Sequence, residues 1–259
     1  MNGSTAQVLG KMISVAENVV AFTGAGMSTD SGIPDFRSPG GKWSRVKPVM
    51  FQDFMEDDAS RFEYWRQKSE GFAEFGDALP NEGHQILSHW EQHRNLRGIV
   101  TQNIDGLHQD AGNERVIELH GTAREVTCMH CNFRDIADDY CKSFLRLQTV
   151  PSCPQCETGM LKHATISFGQ QLDDAVLRAA TAMVRTADLL IVMGSSLVVE
   201  PAASLPVMAR QYGAQLVIVN RDSTQLDSFA NLVIHDNIAS TLKVTEQWLT
   251  DSDRGPCPE

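Results

Sequence analysis

Short runs of β-forming apolar residues recur along this chain, and each breaks off in glycines or polar residues. Val19-Val20-Ala21-Phe22 stops at Gly24-Ala25-Gly26, and Leu96 to Val100 runs into Thr101-Gln102-Asn103-Ile104-Asp105-Gly106. Val116 to Leu119 leads into His120-Gly121, Leu189 to Met193 into Gly194-Ser195-Ser196, and Gln215 to Val219 into Asn220-Arg221-Asp222. A continuous apolar run suits a strand buried on both faces, which requires a parallel sheet covered by helices on both sides. The intervening segments supply those helices, at 5–18, 59–77, Glu82 to Gln92, about 172–186, from Pro201 to about 211, and about 238–249. The fold class is therefore α/β, with a last short strand at Leu232-Val233-Ile234. Open sheets of this kind bind ligands beyond the carboxyl ends of their strands, so the polar tips are the candidate site.

The first tip is the richest. Glycines let backbone N–H groups approach an anionic oxygen closely, and a following helix N-terminus would add its positive dipole end. Ser28, Asp30, Ser31, Asp35 and Arg37 crowd around Gly32-Ile33-Pro34. The dinucleotide fingerprint is incomplete, since Thr29 stands where a third glycine belongs and no strand ending in Asp or Glu follows at the usual distance. On the glycines alone, a tight turn without a ligand is an equal reading. The SPGGKW stretch that follows reads as a mobile loop. Aromatic residues of 59–77 (Phe62, Tyr64, Trp65, Phe72, Phe75) read as core or lid packing.

Residues 122–165 break the alternation. Cys128-Met129-His130-Cys131 and Cys153-Pro154-Gln155-Cys156 are separated by 21 residues. Each pair brings two sulfurs to one ion, and two pairs close a tetrahedral shell around zinc that leaves no open position for a substrate, so its role is structural. A redox role for a single CxxC is the competing reading. Cys141 and Cys257 read as ordinary thiols. No run of roughly 18 apolar residues is present and no secretory segment precedes the first strand, so neither a membrane partner nor export is expected, and a cytoplasmic location is. The formal net charge of −11 argues against direct nucleic-acid binding.

A histidine at a strand tip is often structural. Here His120 shares a sheet edge with amides, carboxylates and a glycine turn, and imidazole titrates where it can take a proton from a sugar hydroxyl. Asn103 and Asp105 can hydrogen-bond ribose hydroxyls or position a water, and Asn220 can hold a second ribose. Taken in order, GAGMSTDSGIPDFR, TQNIDGLH, ELHG, the two CxxC pairs, GSSL and VIVNRD resemble the sirtuin family of NAD-dependent protein deacylases, over about residues 8–250.

That resemblance implies a Rossmann-like parallel sheet with helices on both faces and a small inserted zinc-ribbon and helical domain, with NAD and an acyl-lysine protein substrate in the cleft between them. By position, residues 1–37, 81–121 and 166–250 form the NAD-binding domain, 38–80 a helical insert and cofactor loop, 122–165 the zinc ribbon, and 251–259 a disordered tail. It implies that Gly24, Ala25, Gly26, Ser28, Asp35, Phe36, Arg37 and Trp43 surround the pyrophosphate and nicotinamide ribose, the SPGGKW loop forming a lid. Gln102, Asn103, Ile104 and Asp105 line the nicotinamide pocket, while Gly194, Ser195, Ser196, Asn220, Arg221, Asp222 and Ile238 hold the adenosine half. His120 is the general base, with Asn103 and Asp105 in the catalytic set. Ile104, Phe168, Gly169 and Val198 meet the substrate, with Phe168-Gly169 as a peptide-binding strand. Cys128, Cys131, Cys153 and Cys156 hold one structural zinc.

The reaction so implied removes acyl groups from protein lysine and yields nicotinamide, O-acyl-ADP-ribose and free lysine. The chain departs from the family at Gln170, where a glutamate usually follows Phe-Gly. It also lacks a Tyr-x-x-Arg pair in register near Phe62-Glu63-Tyr64-Trp65-Arg66, which favours acetyl or longer uncharged acyl groups over acidic ones. ADP-ribosyl transfer to protein from the same NAD site, and a non-catalytic NAD-sensing zinc-ribbon interaction module, are the alternatives.

Overall fold

The computed structural model describes residues 3–35 and 46–254. Phe36, Arg37, Trp43 and the SPGGKW loop lie outside the described residues, as does the end of the tail. The chain begins with helix α1 (Gly3–Val15), strand β1 (Val19–Thr23) and a 3-10 helix over Ala25–Ser31. Helices α2 (Phe51–Glu56), α3 (Asp58–Phe75) and α4 (Glu82–His93) follow, then β2 (Leu96–Thr101), α5 (Leu107–Asp110) and β3 (Val116–Glu118). Next come β4 (Gly121–Cys128), β5 (Arg134–Ile136), α6 (Ala137–Leu147) and β6 (Leu161–Thr165). The chain closes with α7 (Asp174–Arg185), β7 (Leu189–Met193), α8 (Ser204–Gln211), β8 (Gln215–Val219), β9 (Leu232–Ile234) and α9 (Ile238–Asp253).

Six strands form one parallel sheet in the order β3-β2-β1-β7-β8-β9. The chain winds outward one way through β2 and β3, returns, and winds the other way from β7. The strand order therefore reverses between β1 and β7, where ligands bind in doubly wound sheets. The two-residue period of a strand explains why these runs are apolar throughout. Val19, Ala21, Ile191 and Val217 face α1, α4 and α9, packing with Leu9, Leu87, Trp90 and Leu242. Val20, Phe22, Val192 and Ile218 face α7 and α8, packing with Val184, Leu205 and Ala209.

A second, antiparallel sheet, β5-β4-β6, sits outside this framework. Its core joins Val126, Cys128, Phe144, Cys153 and Leu161 to Phe54, Tyr64 and Trp65 of α2 and α3, so the aromatic helix does pack, against the cysteine-rich module. Trp65 Nε1 donates to Leu161 O (3.0 Å), satisfying the one polar atom of a fully buried indole.

Four local expectations change. The helix that opens behind the glycine turn is not an α-helix but a seven-residue 3-10 segment, Ala25–Ser31, which ends at Gly32 in the left-handed region. The helix expected from Pro201 starts at Ser204, because an earlier start would place Pro206 beyond the first turn, where it lacks an N–H and its ring meets a carbonyl. The last helix runs through Asp253 rather than stopping near 249, so the tail begins later than expected. Phe168 and Gly169 lie past the end of β6 in a turn, not a strand, with Gly169 at φ +82.

Candidate active site

A cleft of about 550 Å³ opens at the carboxyl ends of β1, β2 and β7, between the large sheet and the cysteine-rich module. The glycine turn is held there by a clasp. Gly24 N donates to Met193 O (3.0 Å) and Gly26 N to Gly194 O (2.9 Å), tying the tip of β1 to the tip of β7. A Cβ on Gly24 would stand 2.7 Å from Gly194 O, and one on Gly26 2.7 Å from Gly194 Cα. The glycines are required by backbone contact as well as by access to a ligand. Asn81, which caps α4, donates from Nδ2 to Met27 O (2.8 Å) and steadies the far side of the turn.

Ala25, Gly26, Ser28, Asp35, Gln102, Asn103, Ile104, Asp105, His120, Gly194, Ser195, Ser196, Asn220, Arg221, Asp222 and Ile238 all line this cleft. Residues from six separate stretches of chain thus meet in one place. Phe168 and Gly169 line it as well, from a segment held by Phe51 N, which donates to Phe168 O (2.8 Å). Gly24 lies behind the wall in its clasp. Val198 is exposed and outside the lining, and Val199 takes that position.

The polar groups at the floor form a connected set. Asn103 Nδ2 donates to Ser28 Oγ (3.1 Å), and Ser28 Oγ donates to Asp105 Oδ2 (2.7 Å). Asp105 Oδ1 also accepts from Leu107 N (3.0 Å), so this carboxylate is oriented from two sides. Gln102 Nε2 donates to Ser195 Oγ (3.2 Å), linking the tips of β2 and β7.

His120 is half-buried, and its Nδ1 lies 3.0 Å from Gln102 O. A carbonyl can only accept, so Nδ1 carries the proton and Nε2 holds the lone pair. This is the tautomer a general base needs. Two residues earlier, burial pushes the Glu118 carboxyl up to about 7.

Sequence reasoning missed the support beneath this floor. Asn103 N donates to Thr101 Oγ1 (3.0 Å), Thr23 Oγ1 donates to the same oxygen (2.8 Å), and His108 Nε2 stands 2.9 Å from Thr23 Oγ1. With Thr23 donating to Thr101, His108 Nε2 carries a proton and Nδ1 is left as an acceptor. His84 accepts from Asn81 N at Nδ1 (3.3 Å), so its Nε2 is a donor. The two rings lie 4.8 Å apart, and neither of these remaining nitrogens has another hydrogen-bond partner among the described residues. One buried donor therefore sits beside one buried acceptor. Burial lowers His84 to about 4 and His108 to about 3, which keeps both neutral. Nothing in the one-dimensional pattern brings His84 to His108.

Beyond His120 the cleft continues to α3, where Tyr64, Gln67, Lys68 and Phe72 join His163 and Thr165 in the wall. Among the described residues no arginine stands in this part of the wall, as the missing Tyr-x-x-Arg pair led one to expect, but the ammonium-bearing Lys68 lines it. Cys141, read as an ordinary thiol, is buried with Sγ 3.4 Å from His163 Nε2.

The four sulfurs of Cys128, Cys131, Cys153 and Cys156 lie within 4.8 Å of one another. Cys128 and Cys156 are separated by 3.7 Å and Cys131 and Cys153 by 3.6 Å. A tetrahedron with metal–sulfur bonds of about 2.3 Å has edges of about 3.8 Å, so the set fits zinc. Gly159 passes so close that a Cβ there would stand 2.2 Å from Cys128 Sγ. The shell is complete and set apart from the cleft, none of its members lining the cavity wall.

The profile of the Sir2 family matches residues 24–201. An NAD-dependent protein deacetylase of Rhodopseudomonas palustris is 44% identical over 241 residues, covering 92% of this chain and 95% of its own. One of Thermodesulfovibrio yellowstonii is 40% identical over 233 residues, covering 90% and 91%. Among solved structures, a Sir2 with p53 peptide and NAD+ superposes with a TM-score of 0.83 at 34% identity, covering 95% of this chain and 97% of that one. A Sir2 variant with deacetylated p53 peptide and 3′-O-acetyl ADP ribose gives 0.87 at 33% identity, covering 94% and 98%.

Proposed function

This chain belongs to the Sir2 family, and from that premise we infer that it is an NAD-dependent protein-lysine deacetylase whose cleft uses His120 as general base. The observation that carries this reading is the His120 tautomer, set by Gln102 O, beside a floor built from the glycine turn and Asn103 to Asp105. NAD supplies the bond that breaks, between nicotinamide and ribose. Acyl-lysine and water enter with it; nicotinamide, O-acyl-ADP-ribose and free lysine leave.

The chain's own residues divide the work. The Ala25–Gly26 turn receives the pyrophosphate, Ala25 offering its backbone N–H while that of Gly26 stays on Gly194 O, with Asp35 at the nicotinamide ribose. Asn103, Ile104 and Asp105 surround the nicotinamide, held by Ser28. Ser195, Ser196, Asn220 and Ile238 take the adenosine half, and Phe168 and Gly169 take the peptide. His120 Nε2 removes a proton from a ribose hydroxyl so that it can attack the activated acyl carbon. Zinc bound to the four cysteines would tie the end of β4 and the turn after it, at Cys128 and Cys131, to the Cys153–Cys156 turn ahead of β6, and would take no part in the chemistry. We read 38–80 and 122–165 as the small domain that closes the cleft over the 1–37, 81–121 and 166–250 framework.

Four thiolate ligands suit a reducing compartment, which supports a cytoplasmic location, and the net charge of −11 supports a protein rather than a nucleic-acid partner. Among the described residues no helix is long and apolar enough to cross a membrane. Acetyl is the favoured acyl group. Lys68 in the distal wall supports a second reading, an acidic acyl group paired with its ammonium.

The deciding experiment gives purified protein NAD and peptides that differ only in the acyl group. Nicotinamide release with an unmodified lysine product supports the deacylase, and the best acyl chain decides between the two readings. ADP-ribose retained on the peptide, seen by mass spectrometry, or no nicotinamide release at all, overturns it.

A further inference from the structure

Residues 166–170 carry Phe168 and Gly169, yet no strand pairing holds them past Thr165. Ile166 N donates to His120 O (2.8 Å), Gln170 N to Ser167 O (2.9 Å) and Phe51 N to Phe168 O (2.8 Å). Ser167 N donates to Gln170 Oε1 (3.1 Å). A further tie comes from below, from Lys162 on β6. Its side chain is fully buried, and its Nζ donates to His163 O (3.2 Å), to Thr165 O and to Gln170 Oε1 (3.1 Å). Three ammonium hydrogens meet three acceptors, and every acceptor is neutral.

A buried ammonium without a carboxylate is uncommon, because desolvation is offset only by dipoles. The ring of Tyr64 attracts the ammonium weakly as a cation–π partner, and the other titratable groups that face it do not help. From α3, Tyr64 presents its ring 5.7 Å from Nζ, its phenol held neutral by burial, and Lys68 adds a like charge. His163, the next residue on β6, is kept neutral by burial, and behind it Cys141 of α6 is held as a thiol. Burial, with Lys68 adding to it, lowers Lys162 to about 7.

The neutral amine has one hydrogen fewer, and its bonds lose their charge assistance. The carbonyl of Thr165 and the amide of Gln170 are then held less firmly, and so is the turn between them.

We propose that Lys162 is a positioning residue for substrate recognition: its ammonium clamps Thr165 and Gln170, setting where Phe168 and Gly169 meet the acyl-lysine peptide, and a neutral Gln170 makes the clamp releasable by loss of one proton. This rests on the reading that Phe168 and Gly169 line the peptide path. Glutamate at 170 would lock the clamp with a counter-charge; glutamine leaves peptide affinity tied to pH in the neutral range.

The test is the peptide KM at saturating NAD from pH 6 to 9. Wild-type KM rises about three- to tenfold across that range, the worth of one hydrogen bond. Gln170→Glu flattens the rise by keeping the ammonium charged. Lys162→Met gives a raised KM that no longer changes with pH, while NAD affinity by calorimetry stays as in wild type. A wild-type rise retained in Gln170→Glu overturns the proposal, and so does one retained in Lys162→Met. If Lys162→Met does not fold, the Gln170→Glu profile alone decides. Phe168→Ala separates the two levels of inference: an unchanged peptide KM there refutes the peptide path, whatever the pH profiles show.

Discussion

Replacing Gly194 with alanine tests the clasp on which the cofactor turn depends. Gly194 has φ +66, and a Cβ there would lie 2.4 Å from Met27 N, 2.6 Å from Gly26 C and 2.8 Å from Gly26 Cα. These are backbone atoms and cannot rotate away. The left-handed conformation costs an alanine about 1–2 kcal/mol, and forcing the two turns apart adds about 1–3 kcal/mol. Gly213 is the matched control, with φ +99 and nothing within 4 Å of its Cβ, so Gly213→Ala keeps only the strain. At about 2–4 °C per kcal/mol for a chain of this size, Gly194→Ala lowers Tm by about 4–20 °C and Gly213→Ala by about 2–8 °C. Moving the turn also displaces the neighbouring Ala25 amide and with it a charge-assisted bond to a pyrophosphate, worth about 1.5–3 kcal/mol. Calorimetry then finds NAD weakened roughly tenfold or more in Gly194→Ala and unchanged in Gly213→Ala. Equal losses of stability and of NAD affinity in the two variants would falsify the claim that close backbone approach, not conformational freedom alone, demands glycine there.

Three further outcomes are expected. His120→Ala lowers turnover by roughly 10²–10⁴ with NAD affinity retained; a variant that binds no NAD and unfolds early makes His120 structural instead. A strong chelator removes one zinc per chain and melts β4, β5 and β6 with loss of deacetylation, and Cys153→Ser does the same without a chelator; full activity in zinc-free protein by metal analysis contradicts the structural role. Acid weakens the fold through His84, His108 and His163, which burial lowers to about 4, about 3 and about 3. Each binds fewer protons folded than unfolded, so its contribution is complete above pH 6.5 and is lost as pH falls from 6.5 toward those values. Unfolding free energies from urea titrations between pH 7 and 4.5 decline by up to about 1.4 kcal/mol per pH unit for each such group, and His108→Gln removes one share; an unchanged slope in that variant refutes the assignment.

Most of the large sheet was legible in the sequence, because a strand buried on both faces must be apolar at every position. Val19–Phe22, Leu96–Val100 and Leu189–Met193 have no other soluble home, and their polar tips had to gather at one edge. The cysteine pairs were equally plain, since two CxxC knuckles restrict where a tetrahedral ion can sit. The helix behind the glycines is a 3-10 segment, a distinction the one-dimensional pattern of Ala25–Ser31 does not carry. Phe168 and Gly169 were expected as a strand from the family resemblance; the turn comes from local bonds between Ser167 and Gln170 and a long-range one from Phe51.

What the sequence alone determined, then, is the inventory: a parallel sheet, its glycine and amide tips, a strand-tip histidine at His120 and a closed cysteine shell. These follow from properties each residue carries wherever it goes, such as hydropathy, φ range and ligand chemistry. What only the tertiary structure decided is which groups share a hydrogen or an electric field. The tautomer of His120, the pairing of His84 with His108 and the uncompensated charge of Lys162 depend on atoms brought together from distant parts of the chain or from across a turn. Desolvation and hydrogen-bond direction act over a few ångströms of space, and sequence separation does not measure that distance.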